Sequence, residues 1–323
     1  VATLPGRADL AWASFPCQDL SLAGQGAGLG GARSGAFWPF WSLIRALKSK
    51  GRAPRVVALE NVCGALSSNE GRDFAVLADA LVDAGYAFGA LVVDAALFVP
   101  QSRPRLFIVA VDGETPPAVI GEEPCRLFTP PALHAAVSRL STSARARWRW
   151  WRLPPPAPRR HSLIDLLQSA PADSPCFEPE ATERLLALMS SPHRAKVEAA
   201  RRSGVRMAGA LYRRTRRDET GASVQRAEIR FDGLAGCLRT PAGGSSRQTV
   251  LLVDDRRVRA RLLSPRETAR LMGLDDAFIL PKRPNDAYHL TGDGVAAPVV
   301  RHLAAHLIEP LLAAQFGRKS RAA

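Results

Sequence analysis

The chain has 323 residues, 46% hydrophobic and 23% charged, which is enough for a sizeable core and for two domains. Its 44 Lys and Arg against 30 Asp and Glu give a formal net charge of +14, which points to a polyanionic partner, although an arginine-loading coding bias produces the same excess. Five scattered cysteines without CxxC spacing exclude a zinc or disulfide framework and fit a reducing cytoplasm, and neither an apolar run of membrane-spanning length nor a signal pattern is expected.

In chain order, Leu10 to Ala13 reads as a strand that Pro16 ends, because proline cannot donate to the ladder. Cys17 then stands at a strand's carboxyl end, where open α/β sheets form ligand crevices. Its bland alternative is a small buried hydrophobe. The glycine-rich run Ser21 to Gly35 reads as a long functional loop, and Ala36 to Lys48 as a helix with Phe37, Phe40, Trp41, Ile44 and Leu47 on one face. Arg55 to Leu59 is a strand delivering Glu60-Asn61-Val62 to the same rim. A helix around residues 74–82 closes at Gly85, and a strand follows from Ala87 to Asp94. The strand Arg105 to Val111 follows too closely for a crossover helix and is expected antiparallel, bringing Gln101, Arg103 and Arg105 to that rim. The chain starts at Val1 almost directly in a strand, which reads as a missing beginning.

Beyond Asp112 the strand–helix alternation stops and proline clusters mark a linker into a differently built domain. Arg139, Arg145, Arg147, Arg149, Arg152, Arg159 and Arg160 interleave with Trp148, Trp150 and Trp151, which reads either as a phosphate-and-base-contacting arm or as an irregular solvated one. Helices are expected near Ser162 to Gln168, Pro179 to Met189 and His193 to Arg202. A second basic cluster, Arg213, Arg214, Arg216 and Arg217, follows Tyr212. Short strands are expected at Ala227 to Phe231, Cys237 to Arg239, Gln248 to Val253 and Val258 to Arg261. The polar loop Thr240 to Arg247 suits a phosphate, a DNA groove or a plain hairpin equally. Ser264-Pro265-Arg266-Glu267 carries a capping-box helix start. Thr291-Gly292-Asp293-Gly294-Val295 is expected to open a long apolar helix to about Phe316.

A cysteine, a glutamate and a Gln/Arg/Arg set on one rim make a nucleophilic site in which arginines would stabilise the thiolate. All six histidines lie beyond residue 133, which disfavours a Cys-His hydrolase. Phe15-Pro16-Cys17-Gln18, Glu60-Asn61-Val62 and Gln101-Ser102-Arg103-Pro104-Arg105, with Arg33-Ser34-Gly35 between, resemble the ordered signatures of the cytosine-C5 DNA methyltransferases. Arg261 with the helix carrying Glu267, and Gly292-Asp293-Gly294-Val295, are similar to that family's last two elements, with Asp293 in place of the usual Asn.

The resemblance implies an α/β fold: a doubly wound S-adenosylmethionine-dependent methyltransferase sheet, here lacking its first strands, with a smaller irregular target-recognition domain. The implied division is a catalytic region 1–115, a DNA-binding target-recognition region 116–290, and a C-terminal helix 291–323 returning to the catalytic part. It implies catalysis by Cys17, Glu60, Arg103 and Arg105, and S-adenosylmethionine contacts by Pro16, Ala36, Asp293 and Gly294. DNA contacts fall to Gln18, Ser21, Arg33, Gln101, Thr240, Gly243, Gly244 and Arg247. It further implies a flipped cytosine in double-stranded DNA, no metal, and a monomer in the bacterial cytoplasm belonging to a restriction-modification system or an orphan relative. The family's Phe-x-Gly-x-Gly loop and two acidic cofactor ligands would precede Val1. An inactive DNA-binding remnant and a tRNA methyltransferase are the competing readings.

Overall fold

A computed structural model describes residues 4–15, 36–241, 247–254 and 257–316. The chain forms two compact units, one of Val1–Asp94, Pro104–Pro156 and Arg301–Ala323 and the other of Ala95–Arg103 and Ala157–Val300.

The first unit holds strands β1 (Leu10–Ser14), β2 (Val56–Val62), β3 (Ala87–Asp94) and β4 (Pro104–Val111), with helices α1 (Phe37–Ser49), α2 (Arg72–Asp83), α3 (Pro131–Ser138) and α4 (Thr142–Arg147). The sheet order is β1-β2-β4-β3. β1 runs parallel to β2, and β4 is antiparallel to both β2 and β3, as the short 94-to-104 connection requires. The apolar run Val56 to Leu59 is buried on both faces, the signature of an internal strand. On one face, Phe15, Val57, Leu59, Leu106 and Ile108 pack with Phe37, Trp41 and Ile44 of α1 and Phe74, Leu77 and Leu81 of α2. The helical spacing of those side chains is what turns each helix's apolar stripe inward, and each large side chain so buried stabilises by about 1.5–3 kcal/mol.

Residues 116–156 stay with this unit, so the boundary expected at 115 does not coincide with a division between compact units. The tryptophans of the arginine-rich run are the reason. Trp148 stands edge-on to Phe88 with ring centroids 5.3 Å apart, and Trp151 is buried. They are core side chains rather than exposed stacking platforms. Gly89 in β3 has no room for a side chain, because a Cβ there would run into the Arg149 carbonyl and the Trp151 indole.

The second unit begins with a short helix α5 (Leu163–Leu166), then α6 (Pro179–Ala187) and α7 (Ser191–Arg202), and carries strands β5 (Met207–Arg217), β6 (Ser223–Arg230), β7 (Thr249–Asp254) and β8 (Arg257–Leu262). These form an antiparallel sheet of order β6-β5-β7-β8. Met189, Val197, Leu211, Ile229, Leu251 and Ala260 make its core. Regular structure is thus more extensive than the irregular domain expected, and Cys237 to Arg239 forms no strand. Helix α8 (Pro265–Leu271) starts with the capping box as read: the Ser264 hydroxyl accepts from the Glu267 amide, and the Glu267 carboxylate accepts from the Ser264 amide.

Helix α9 (Pro284–Asp293) ends where a helix start was expected, and α10 (Ala297–Leu303) begins after three intervening residues. Gly292 and Asp293 therefore close one helix instead of opening the next. Contrary to the expectation of no apolar run of spanning length, the helical stretch Pro284–Ala314 is long and apolar enough to cross a membrane by length and composition alone. At Gly294 its backbone leaves the helical region, with φ −65° and ψ 162°.

Candidate active site

Glu60 sits near the carboxyl end of β2, level with Ser14 on β1 and opposite Phe107 on β4. Arg105 lies opposite Val62, one pleat further along. Side chains two residues apart share a face, so the diagonal neighbours Glu60 and Arg105 can meet. Arg105 Nε stands 3.1 Å from Glu60 Oε1, with the two side chains 15% and 9% exposed. A second Arg105 donor, Nη1, goes to the Pro104 carbonyl at 2.9 Å. The result is an oriented, mostly desolvated carboxylate–guanidinium pair at the strand ends.

Asn61 points to the opposite face and ties down the end of β1. Its Nδ2 donates to the Phe15 carbonyl at 3.2 Å while its Oδ1 accepts from the Val62 amide at 2.9 Å. Reading the sequence attaches Asn61 to its motif without giving it a task, and its position next to Glu60 on the strand is the signal for one. The buried Asn61 thus fixes the residue that leads into Pro16-Cys17. Cys63, just beyond β2, is a different kind of thiol. Burial raises its pKa, with Arg105 pulling it down and Asp94 pushing it up.

In the second unit, Gln101 and Arg103 form another cluster. Gln101 is fully buried. Its Nε2 donates to the Leu271 carbonyl at 2.8 Å and its Oε1 accepts from the Leu238 amide at 3.1 Å. Both ends of the Gln101 amide are thus engaged inside the protein. Arg103 is 3% exposed and donates to the carbonyls of Leu238 at 2.9 Å, Gly292 at 2.8 Å and Gly294 at 2.7 Å. Its guanidinium serves the backbone and holds these segments together. The same segments approach closely at Gly292, where a Cβ would lie 2.6 Å from the Thr240 nitrogen.

Thr240 is half-buried beside this contact, and Arg247 is exposed, hydrogen-bonded to Asn285 Oδ1 at 2.9 Å and 5.1 Å above the Tyr288 ring. Pro16, Cys17, Gln18, Ser21, Arg33, Gly243 and Gly244 lie outside the described residues. Deeper in this unit, Arg261 and Glu267 face each other with two N–H···O contacts of 2.7 Å, both side chains essentially without solvent. Arg261 and the helix carrying Glu267, which are similar to one of the family's last two elements, therefore form a buried structural brace.

Of the expected cofactor residues that the structure describes, Ala36 lies in the first unit and Asp293 and Gly294 in the second. Ala36 is an exposed helix cap, Asp293 is an exposed helix end, and the Gly294 carbonyl is taken by Arg103. Among the described residues no group of three or more His, Cys, Asp or Glu could hold a metal ion.

The first unit, with its sheet flanked by helices and the pair at its strand ends, is of α/β architecture. An Entamoeba histolytica methyltransferase, EhMeth, shares that fold with TM-score 0.54 at 15% identity, covering 94% of this chain and 78% of that one. The family model for C-5 cytosine-specific DNA methylase matches residues 2–309, and the chain belongs to that family. Among its relatives, the type II methyltransferase M2.BsuMI of Bacillus subtilis is 39% identical over 113 residues, 35% of this chain and 29% of the relative. M1.ScrFI of Lactococcus lactis subsp. cremoris is 23% identical, covering 94% of this chain and 63% of the relative. M.HpaII of Haemophilus parainfluenzae is 24% identical, over 96% and 74% respectively. The chain therefore spans under two thirds of the first two relatives.

Proposed function

We propose that this protein acts as a DNA (cytosine-5) methyltransferase of a restriction-modification system or an orphan relative. One observation carries the reading: the Glu60–Arg105 pair stands level with Ser14, the end of the strand that leads to Cys17. Two residues, Phe15 and Pro16, separate Ser14 from Cys17 in the sequence, a span of at most about 11 Å between Cα atoms, and this short spacing supports the reading.

On this reading the Cys17 thiolate adds to C6 of a cytosine flipped out of the duplex, and the C5–C6 electrons move onto C5 as N3 gains a proton. Glu60 holds the N3 and amino edge and supplies that proton. Arg105 meets the base carbonyl oxygen and orients the Glu60 carboxylate. After methylation, loss of the C5 proton expels the thiolate, and N3 returns its proton to Glu60, which completes the cycle. S-adenosylmethionine is the donor that the family implies, and it supplies an activated methyl group when bound.

The test is a covalent trap. The protein encoded by the complete reading frame is incubated with S-adenosylmethionine and a pool of duplexes carrying 5-fluorocytosine. A denaturation-resistant adduct that Cys17→Ser abolishes is expected. Duplex binding without any adduct would replace this reading with that of a DNA-binding remnant, and adducts with RNA alone would select an RNA methyltransferase.

A further inference from the structure

In the second unit the strands β5 and β6 outrun their sheet. β7 pairs with β5 only from Met207 to Leu211, whereas β6 accompanies it to Arg217. From Tyr212 outward the hairpin is a two-stranded ribbon whose β5 strand is roughly 17 Å long at about 3.4 Å per residue. Burial changes at the same point: Ala208 to Leu211 are buried, and Arg213 to Arg217 are exposed.

The tip is built rather than loose. The Asp218 carboxylate accepts from the amides of Thr220 at 2.9 Å and Ala222 at 3.0 Å, and Gly221 takes φ +81°, which suits glycine.

The ribbon's two faces differ in charge. Tyr212, Arg214 and Arg216 share a face with Arg226 and Glu228. There Glu228 pairs with Arg216 Nε at 2.6 Å and Arg214 Nε at 3.5 Å, and Arg214 stacks 5.2 Å from the Tyr212 ring. The opposite face presents Arg213, Thr215 and Arg217 beside Ser223 and Gln225. It has no carboxylate. Arg213 makes no hydrogen bond or ion pair with a described residue, Arg217 reaches only the Gly221 carbonyl, and Gln225 donates to Thr215 at 2.7 Å.

We propose that this ribbon enters the major groove of duplex DNA and reads base edges through Arg213, Thr215, Arg217 and Gln225. A two-stranded ribbon, about 5 Å between strands, fits a groove about 12 Å wide. Arginine forks match guanine and a glutamine amide matches adenine, so the uncompensated face carries the chemistry of base reading. The face neutralised by Glu228 turns to solvent. The inference rests on the reading above that duplex DNA is the substrate.

Selection from a random duplex library, scored by sequencing the bound fraction, tests it separately from methylation. Wild type is expected to enrich a defined sequence, and the Arg213→Ala/Gln225→Ala variant to lose preference at one or two positions by about tenfold or more. Arg216→Ala, on the outward face, keeps the wild-type sequence. Because all three positions are exposed, circular dichroism should show unchanged folding. An unchanged preference in the double variant overturns the proposal. So does a uniform loss at every sequence with a shallower salt slope, which marks phosphate contact alone, and so does enrichment of no duplex or of RNA only. Enrichment that succeeds while the 5-fluorocytosine trap fails leaves the ribbon standing and removes the methylation reading.

Discussion

Arg105 reaches Glu60 diagonally across β4 and β2, Nε to Oε1 at 3.1 Å, and neither side chain is more than 15% exposed. Each charge is therefore the main compensation for the other's desolvation. Glu60→Gln keeps the shape and removes the charge. The expected cost in urea unfolding is roughly 1–3 kcal/mol, below that of a fully buried pair. The larger effect is on chemistry, since losing a positioned acid typically costs about 10²–10⁴-fold in rate. Single-turnover methylation by Glu60→Gln within tenfold of wild type would remove Glu60 from its proposed role.

The Arg261–Glu267 brace gives the opposite balance, large for stability and indirect for activity. Both side chains are essentially out of contact with water and share two 2.7 Å contacts, and Glu267 also caps its own helix through the Ser264 amide. Glu267→Ala leaves Arg261 buried without its carboxylate and is expected to cost about 3–5 kcal/mol. Arg261→Lys keeps a charge but not the two-pronged geometry, so it should also destabilise measurably. Denaturant midpoints for both variants within experimental error of wild type would contradict this.

The first unit was largely legible because its strands are apolar runs bounded by Gly and Pro, and β3 falls where the pattern puts it. The antiparallel β4 followed from loop length alone. The outer half of β5 was hidden because an exposed ribbon has arginine on both faces, which erases the alternation that marks a half-buried strand. Trp148 and Trp151 were ambiguous for a related reason: local sequence shows the arginines beside them, while Phe88, which buries Trp148, lies 60 residues away. In the site, Glu60 and Arg105 were legible as motif residues. The burial of Gln101 and Arg103 was not, because their partners are backbone atoms some 130 to 190 residues further along the chain.

Gly89→Ala should destabilise the first unit despite adding one methyl group. The obstacle is the Arg149 carbonyl, backbone that cannot rotate away, backed by the Trp151 indole. Overpacking of this kind costs about 1–3 kcal/mol. Thermal unfolding, with Trp fluorescence reporting on the tryptophan cluster, should show a lower midpoint, and an unchanged midpoint would mean the Arg149 segment yields easily.

The ribbon tip should respond to acid. The hydrogen bond from the Thr220 hydroxyl, aided by those from the Ala222 and Thr220 amides, holds Asp218 below its ordinary pKa of 3.8 against the opposing effect of burial. A carboxylate lowered in the folded state contributes its full stabilisation above the unfolded value and loses it as pH falls through the folded one. The turn is thus expected to stay intact from neutral pH to about 4 and to loosen below the ordinary value. Asp218→Asn should show faster amide exchange at Thr220 and Ala222 already at pH 7, and protection equal to wild type would show that the side chain does not hold the turn.

Thiol reactivity separates the proposed nucleophile from its neighbour. Burial raises the Cys63 pKa, with Arg105 only partly opposing it, so at neutral pH this thiol is a poor nucleophile. Cys176 is exposed and Cys237 is half-buried with its Sγ 3.5 Å from the Leu238 carbonyl. A neutral alkylating reagent, followed by peptide mass spectrometry, should therefore modify Cys176 well before Cys63. In the 5-fluorocytosine trap, Cys63→Ser is expected to form the adduct as wild type does, while Cys17→Ser forms none. Loss of the adduct in Cys63→Ser with folding intact would transfer the nucleophile's role to Cys63, whose place one residue past β2 and within reach of Arg105's charge makes it the sharpest alternative the fold offers.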